Sequence, residues 1–196
     1  MKTKVVIASH NSGKAAELCA LLGDGFEVFT LADIGFVDEI EENGETFEEN
    51  AIIKARAVSS SDYITIADDS GLTVDALGGA PGIYSMRWSG GGDKENNKKL
   101  LFELDGLPYE KRKAAFVCCV ACIFPDKTLI TEQGKCEGII LEKEAGDGGF
   151  GYDPLFYYEP KEKSFAQLSR DEKSEISHRG LAMRALAVRI AEYTKK

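Results

Sequence analysis

SHNSGKAAEL (Ser9–Leu18) directly follows the apolar run Val5-Val6-Ile7-Ala8, and together they read as strand, short polar loop and helix. The stretch nearly has the P-loop spacing G-x-x-x-x-G-K-[ST]. However, Ala8 stands at the first glycine position and Ala15 follows Lys14, which removes the hydroxyl that would hold magnesium. A strand feeding a polar loop and then a helix still aims unpaired N–H groups and a positive dipole end at one point. Ser9, His10, Asn11 and Ser12 make the loop polar, Gly13 admits close approach to the backbone, and Lys14 supplies a full charge. Capping of the helix by Asn11 or Ser12 would use the same residue types. The segment alone does not choose between an anion site and a cap.

Working outward, helical and extended patterns alternate. Lys14–Leu22 reads as a helix with Leu18, Leu21 and Leu22 on one face, stopped by Gly23. Thr46 with Glu49 predicts a capping box for a second helix, with Phe47, Ala51, Ala55 and Val58 as its apolar stripe. YITIADDSG predicts a short strand ending in acid, and GLTVDAL a further extended piece. A helix carrying Leu100, Leu101 and Leu104 ends near Gly106. AAFVCCVACIF, TLITEQG and CEGIIL read as strands, the last two split by Gly134. The chain closes with a helix from about Ser177 to Tyr193, its core face expected at Leu181, Ala185, Val188 and their neighbours. The pattern predicts an α/β fold: a mixed β-sheet with helices on both faces.

Length and composition narrow the function classes. The 196 residues, 43% hydrophobic and 29% charged, suit one soluble domain spanning 1–196 with a real core. No apolar run approaches the roughly 20 residues of a membrane span, and no signal-peptide pattern opens the chain. A cytoplasmic protein without a membrane partner is expected. The net charge of −9 argues against a nucleic acid polymer as partner, because such partners demand a basic stripe. Five cysteines are an odd number, and Cys118, Cys119 and Cys122 fall inside one apolar run. They read as small core side chains rather than a metal or redox motif.

Four further segments carry candidate chemistry. Asp68-Asp69-Ser70-Gly71 ends an apolar strand, where a carboxylate can ligate magnesium or take a proton from water. Asp-Ser-Gly taken alone favours a turn. The acids of EIEENGETFEEN (Glu39–Asn50) suit a solvated face, unless the loop folds back toward Asp69. GDGGFGYDP (Gly146–Pro154) combines backbone freedom with Phe150, Tyr152 and Asp153, which suits a loop closing over a flat ring. EKSEISHRG (Glu172–Gly180) places Lys173, His178 and Arg179 around the start of the last helix.

Six segments in order, SHNSGK, ENGETFEENA, ADDSGL, LGGAPGIYS, GGFGYDP and EKSEISHRG, resemble the inosine triphosphate pyrophosphatase-like family over essentially the whole chain. The resemblance implies a long curved mixed sheet, two lobes around a nucleotide cleft, and a homodimer. It implies hydrolysis of non-standard purine nucleoside triphosphates (ITP, dITP and XTP) to the monophosphate and pyrophosphate, with Mg2+, a house-cleaning reaction. By the same resemblance, Ser9, His10, Asn11, Ser12, Gly13 and Lys14 hold the phosphates, with Lys54 and Arg87 as further contacts. Glu41 and Asp69 serve the metal, and Asp69 is the catalytic base, although Asp68 is its neighbour. Ser70, Phe150, Gly151, Tyr152, Asp153, Lys173, His178 and Arg179 bind the base and the nearby sugar.

Overall fold

The computed structural model of the chain describes residues 2–9 and 12–194, apart from the side chains of residues 12, 13, 14 and 17. His10 and Asn11, and the side chains of Ser12 and Lys14, therefore lie outside the described residues. The elements run β1 (Thr3–Ile7), α1 (Ser12–Leu22), β2 (Phe26–Phe29), α2 (Phe47–Val58), β3 (Ile64–Val74), α3 (Asp93–Glu103), β4 (Lys113–Ile123) and β5 (Leu129–Ile140). They continue with β6 (Phe156–Tyr158), β7 (Lys163–Ser164), α4 (Arg170–Ile176) and α5 (His178–Tyr193). The strands are ordered β2-β1-β3-β4-β5-β6-β7 in one sheet. It is mixed, as the alternation of patterns predicts: β1 runs parallel to β2 and β3, while β6 is antiparallel to β5 and β7.

The chain divides into two compact units, the first Met1–Asp69, Cys118–Gly134 and Leu181–Lys196, the second Ser70–Val117 and Lys135–Gly180. In the first unit, parallel pairing requires crossovers, which α1 and α2 provide. Side chains on a strand alternate between faces, and both faces of β1 are buried. Val5 and Ile7 pack with Leu18 of α1 and with Ala182, Met183, Leu186 and Ile190 of α5. Val6 packs with Ala51, Ala55 and Val58 of α2. Helices therefore cover both faces, which explains why β1 reads as an unbroken apolar run.

The second unit has its own core, in which Phe116 lies 4.6 Å from Phe156 and 5.6 Å from Phe165 between ring centroids. Its rear is locked by Arg112, which is buried and pairs with no acid among the described residues. The guanidinium donates to the carbonyls of Ile140 (2.7 Å), Leu141 (2.8 Å) and Leu104 (2.7 Å), the last closing the C-terminus of α3.

Several expectations change. Asp68-Asp69-Ser70-Gly71 makes no turn: it lies inside β3, an eleven-residue strand. Pairing within the sheet outweighs the local turn preference of Asp-Ser-Gly. Gly134 likewise sits within β5 rather than splitting it. The core face of α5 is Ala182, Met183, Leu186 and Ile190, whereas Leu181 and Val188 are exposed. Apolar residues surround this helix, so periodicity alone left its rotation open. Before α5 stands α4, unforeseen although Ser169 and Glu172 form a reciprocal capping box. At α2, Thr46 accepts from the Glu49 N–H (3.1 Å), but the Glu49 carboxylate turns to the Glu45 N–H (2.6 Å).

Four of the five cysteines behave as core residues, Cys19 being exposed. Cys118, Cys119, Cys122 and Cys136 are buried free thiols, and burial pushes Cys119 up to about 11 and Cys136 up to about 12. Thiols so far from ionising are poor nucleophiles and metal ligands. No helix among the described residues is long and apolar enough to cross a membrane.

Candidate functional site

In the first unit the chemistry gathers on Asp69. Asn50 and Lys54 lie four residues apart on α2 and so share one face of the helix. The Asn50 amide donates to Oδ2 of Asp69 (3.2 Å), and Lys54 Nζ reaches Oδ1 (3.1 Å). Lys54 also reaches Glu42 Oε2 at 3.1 Å, and Asn50 Oδ1 accepts from the Gly44 N–H at 2.9 Å. The acidic loop thus folds back to Asp69, on the condition that its sequence left open. Burial raises the Asp69 carboxyl from its ordinary value; Lys54 and Asn50 pull it down, and Glu42 adds to the rise. A carboxylate made more basic by burial yet held by donors suits proton acceptance from water. Asp68, its neighbour on the strand, is almost fully buried.

Among the described residues, no three His, Cys, Asp or Glu side chains gather as a metal cluster. What the structure brings together is two carboxylates, Glu42 and Asp69, on one ammonium. Two hard oxygen donors turned toward a single cation fit magnesium, which takes one or two carboxylates and completes its shell from phosphate and water. The resemblance named Glu41, where the residues alone left the choice of acid open; the structure turns Glu42 to Lys54, and both acids are exposed on the same segment. Asn50 and the pairing role of Lys54 were also missed, although their spacing of four on a helix was visible.

In the second unit a different cluster forms around Asp153, which is 2% exposed. Its carboxylate accepts from the Phe150 N–H (2.8 Å) and pairs with Lys173. The Lys173 ammonium also lies 4.6 Å from the centroid of the Phe150 ring, and that ring is 66% exposed. Gly149 is required by this packing, because a Cβ there would come within 2.1 Å of Asp153 Oδ2. Tyr152, expected beside a base, points inward instead, its hydroxyl donating to the Ser85 carbonyl (2.9 Å). Burial pushes that hydroxyl well above the usual tyrosine range.

The start of α5 completes this cluster. Ser177 Oγ accepts from the Gly180 N–H (3.1 Å), as an N-cap should. His178 is buried with its ring stacked on Phe116, centroids 4.9 Å apart. Arg179 donates to Ser70 Oγ at 3.1 Å. Lys173, His178, Arg179 and Ser70 are thus in one compact unit with Phe150 and Asp153. Arg87 is elsewhere in that unit, 5.3 Å over the Tyr84 ring. Of the expected phosphate loop, Ser9 lies just beyond β1, and its carbonyl accepts from the Leu31 N–H (3.3 Å).

Comparison with known proteins places these clusters in context. A dITP/XTP pyrophosphatase of Bacillus cereus is 50% identical over 97% of this chain and 96% of its own length. The namesake enzyme of Bacillus subtilis is 47% identical over 94% of the chain and 95% of its own. Among solved structures, the Ham1 protein of Staphylococcus aureus superposes with a TM-score of 0.89 at 38% identity, over 97% of this chain and all of that one. A HAM1 protein from Coxiella burnetii gives 0.90, also at 38% identity, over 97% and 99% of the two chains. The model of the Ham1 family matches residues 5–189, and this chain belongs to that family.

Proposed function

We infer that this chain is a nucleoside triphosphate pyrophosphatase acting on dITP, XTP and ITP, releasing the monophosphate and pyrophosphate. The reading is supported by half-identity, over nearly full length, to enzymes named dITP/XTP pyrophosphatase. The structural observation that carries it is Asp69, a carboxylate raised by burial and gripped through both oxygens by Asn50 and Lys54.

Asp69 is the general base: its carboxylate takes a proton from the attacking water and holds that water's oxygen toward phosphorus. Lys54 keeps enough of Asp69 ionised to act, and its ammonium also favours the negative charge that grows on the phosphate oxygens. Asp69, with an acid of the Glu41-Glu42 pair, would hold Mg2+. The ion, when bound, supplies electrostatic stabilisation of phosphate charge. Ser9–Lys14 is assigned to the phosphates on sequence grounds.

Base selection falls to the second cluster. Hypoxanthine and xanthine carry a carbonyl where adenine carries an amino group. Lys173, His178 and Arg179 present donors, which pair with a carbonyl and leave an amino group facing donors. Mismatched polar groups of this kind discriminate by up to about 10⁴-fold. The exposed Phe150 ring offers a flat apolar face to the purine. We further propose that residues 1–196 act as one functional domain in a cytoplasmic homodimer.

The direct test measures pyrophosphate release from ITP and dITP with Mg2+, beside ATP and GTP. Fast release from the inosine nucleotides alone is expected. Orthophosphate as the product, or equal rates on ATP, would overturn the reading.

A further inference from the structure

Gly151 lies between the exposed Phe150 ring and the buried Tyr152, and both of its backbone polar groups are held by one helix. Its N–H donates to Asp93 Oδ2 at 2.7 Å, and its carbonyl accepts from the Asn97 amide at 3.2 Å. Asp93 opens α3 and Asn97 follows four residues later, so both project from the same helical face. Gly151 has φ +59°, and an added Cβ there would meet nothing within 4 Å. Packing therefore does not enforce this left-handed conformation. A glycine visits positive and negative φ with similar ease, so hydrogen bonds select it: these two, and the bond from the Asp153 N–H to the Phe150 carbonyl (3.2 Å) that closes the turn.

Asn97 is an expensive residue to bury for any other purpose. It is 4% exposed, and its Oδ1 has no hydrogen-bond partner. Its Nδ2, by contrast, is used twice, on the Gly151 carbonyl and on Glu144 Oε1 (3.1 Å). An unsatisfied buried acceptor lowers stability, and the two donated bonds are what the side chain contributes in return. Both go to the segment that carries Phe150 and Asp153. On the other side of Gly151, Tyr152 is anchored to the Ser85 carbonyl. Without the grip of α3 on Gly151, Tyr152 would stay in place and Phe150 would be held by its two backbone bonds to Asp153 alone.

We propose that Asp93 and Asn97 are positioning residues for purine recognition, which lock Gly151 so that the Phe150 ring stands ready for the base. The proposal rests on the assignment of this loop to the base. Neither residue touches the reacting atoms, so their loss appears in KM and in base selectivity while kcat holds.

Steady-state kinetics of the full chain on ITP and ATP tests this with Asp93→Ala, Asp93→Asn, Asn97→Leu, Phe150→Ala and the Asp93→Ala/Phe150→Ala double variant. Asp93→Ala and Asn97→Leu should each raise KM for ITP about tenfold, the loss of one charge-assisted or buried hydrogen bond, with kcat within about twofold. Asn at position 93 still offers an acceptor oxygen and should restore most of the KM. In the Phe150→Ala background, Asp93→Ala should add little, because the ring it positions is gone. Unchanged KM in both single variants, equal losses in kcat and KM, or additive effects in the double variant would each overturn the proposal. Absence of pyrophosphate release by the unsubstituted protein would instead overturn the function on which it rests.

Discussion

The two compact units use the same device on different targets. In the first, Asn50 and Lys54, four apart on α2, hold the two oxygens of the Asp69 side chain. In the second, Asp93 and Asn97, four apart on α3, hold the N–H and carbonyl of the Gly151 backbone. A grip on a carboxylate sets its proton affinity, whereas a grip on a glycine backbone sets a direction. The first region is therefore expected to respond to substitution through pH and chemistry, and the second through affinity and selectivity.

The largest expected break is Asp69→Asn, which should lower kcat by about 10³-fold while nucleotide affinity changes little. Near-normal turnover would remove Asp69 from the mechanism. The same change sharpens the comparison through stability. Because burial raises the Asp69 carboxyl in the folded chain, its protonated form favours folding below about pH 4. That contribution is lost as pH rises through the raised value. Asp69→Asn should thus resist urea better than the parent protein at pH 7, with the difference fading at pH 4. A variant less stable at pH 7 would contradict this sign.

A smaller break is Gly149→Ala in the second unit. The new methyl would run into Asp153 Oδ2, and the residue already lies at φ +74°. Displacement of the Asp153–Lys173 pair should raise KM for ITP by about tenfold or more, the equivalent of one lost charged hydrogen bond, with kcat less affected. A pure kcat loss measured in the same assay would mean that the two regions do not divide their work in this way.

The smallest is a displacement of the pH profile. Asp69 must be ionised to accept a proton, so activity falls as pH drops through its raised value. Lys54 is the strongest influence pulling that value down. Lys54→Met should therefore shift the acid limb of kcat/KM upward by about one pH unit, whereas Asp93→Asn should leave it in place. A pH profile of the three proteins side by side decides this.

Much of this arrangement was written locally. The short-range patterns at Val5–Ala8, the stop at Gly23, the Thr46 cap and the helix start near Ser177 depend on neighbours within a few residues, and each appears in the structure. Asp69, Phe150, Asp153, Lys173, His178 and Arg179 were singled out because their segments carry recognisable residue combinations in a fixed order. Sequence alone thus determined the class of fold, the family resemblance and the residue types available for chemistry.

What it could not determine was which way those residues face. Asp-Ser-Gly favours a turn by itself, and only sheet pairing makes it the interior of β3. The apolar surface around α5 suits several rotations, and only contact with Val5 and Ile7 of β1 selects Met183 and Leu186 over Leu181 and Val188. Glu41 and Glu42 are indistinguishable in composition, yet only Glu42 is turned to Lys54. Tyr152 looked like a ligand contact until burial gave its hydroxyl to Ser85. In each case the deciding partner lies at least ten residues away in the chain. Periodicity and turn preference report energies between near neighbours, whereas orientation is set by burial and hydrogen bonds made only after distant segments meet.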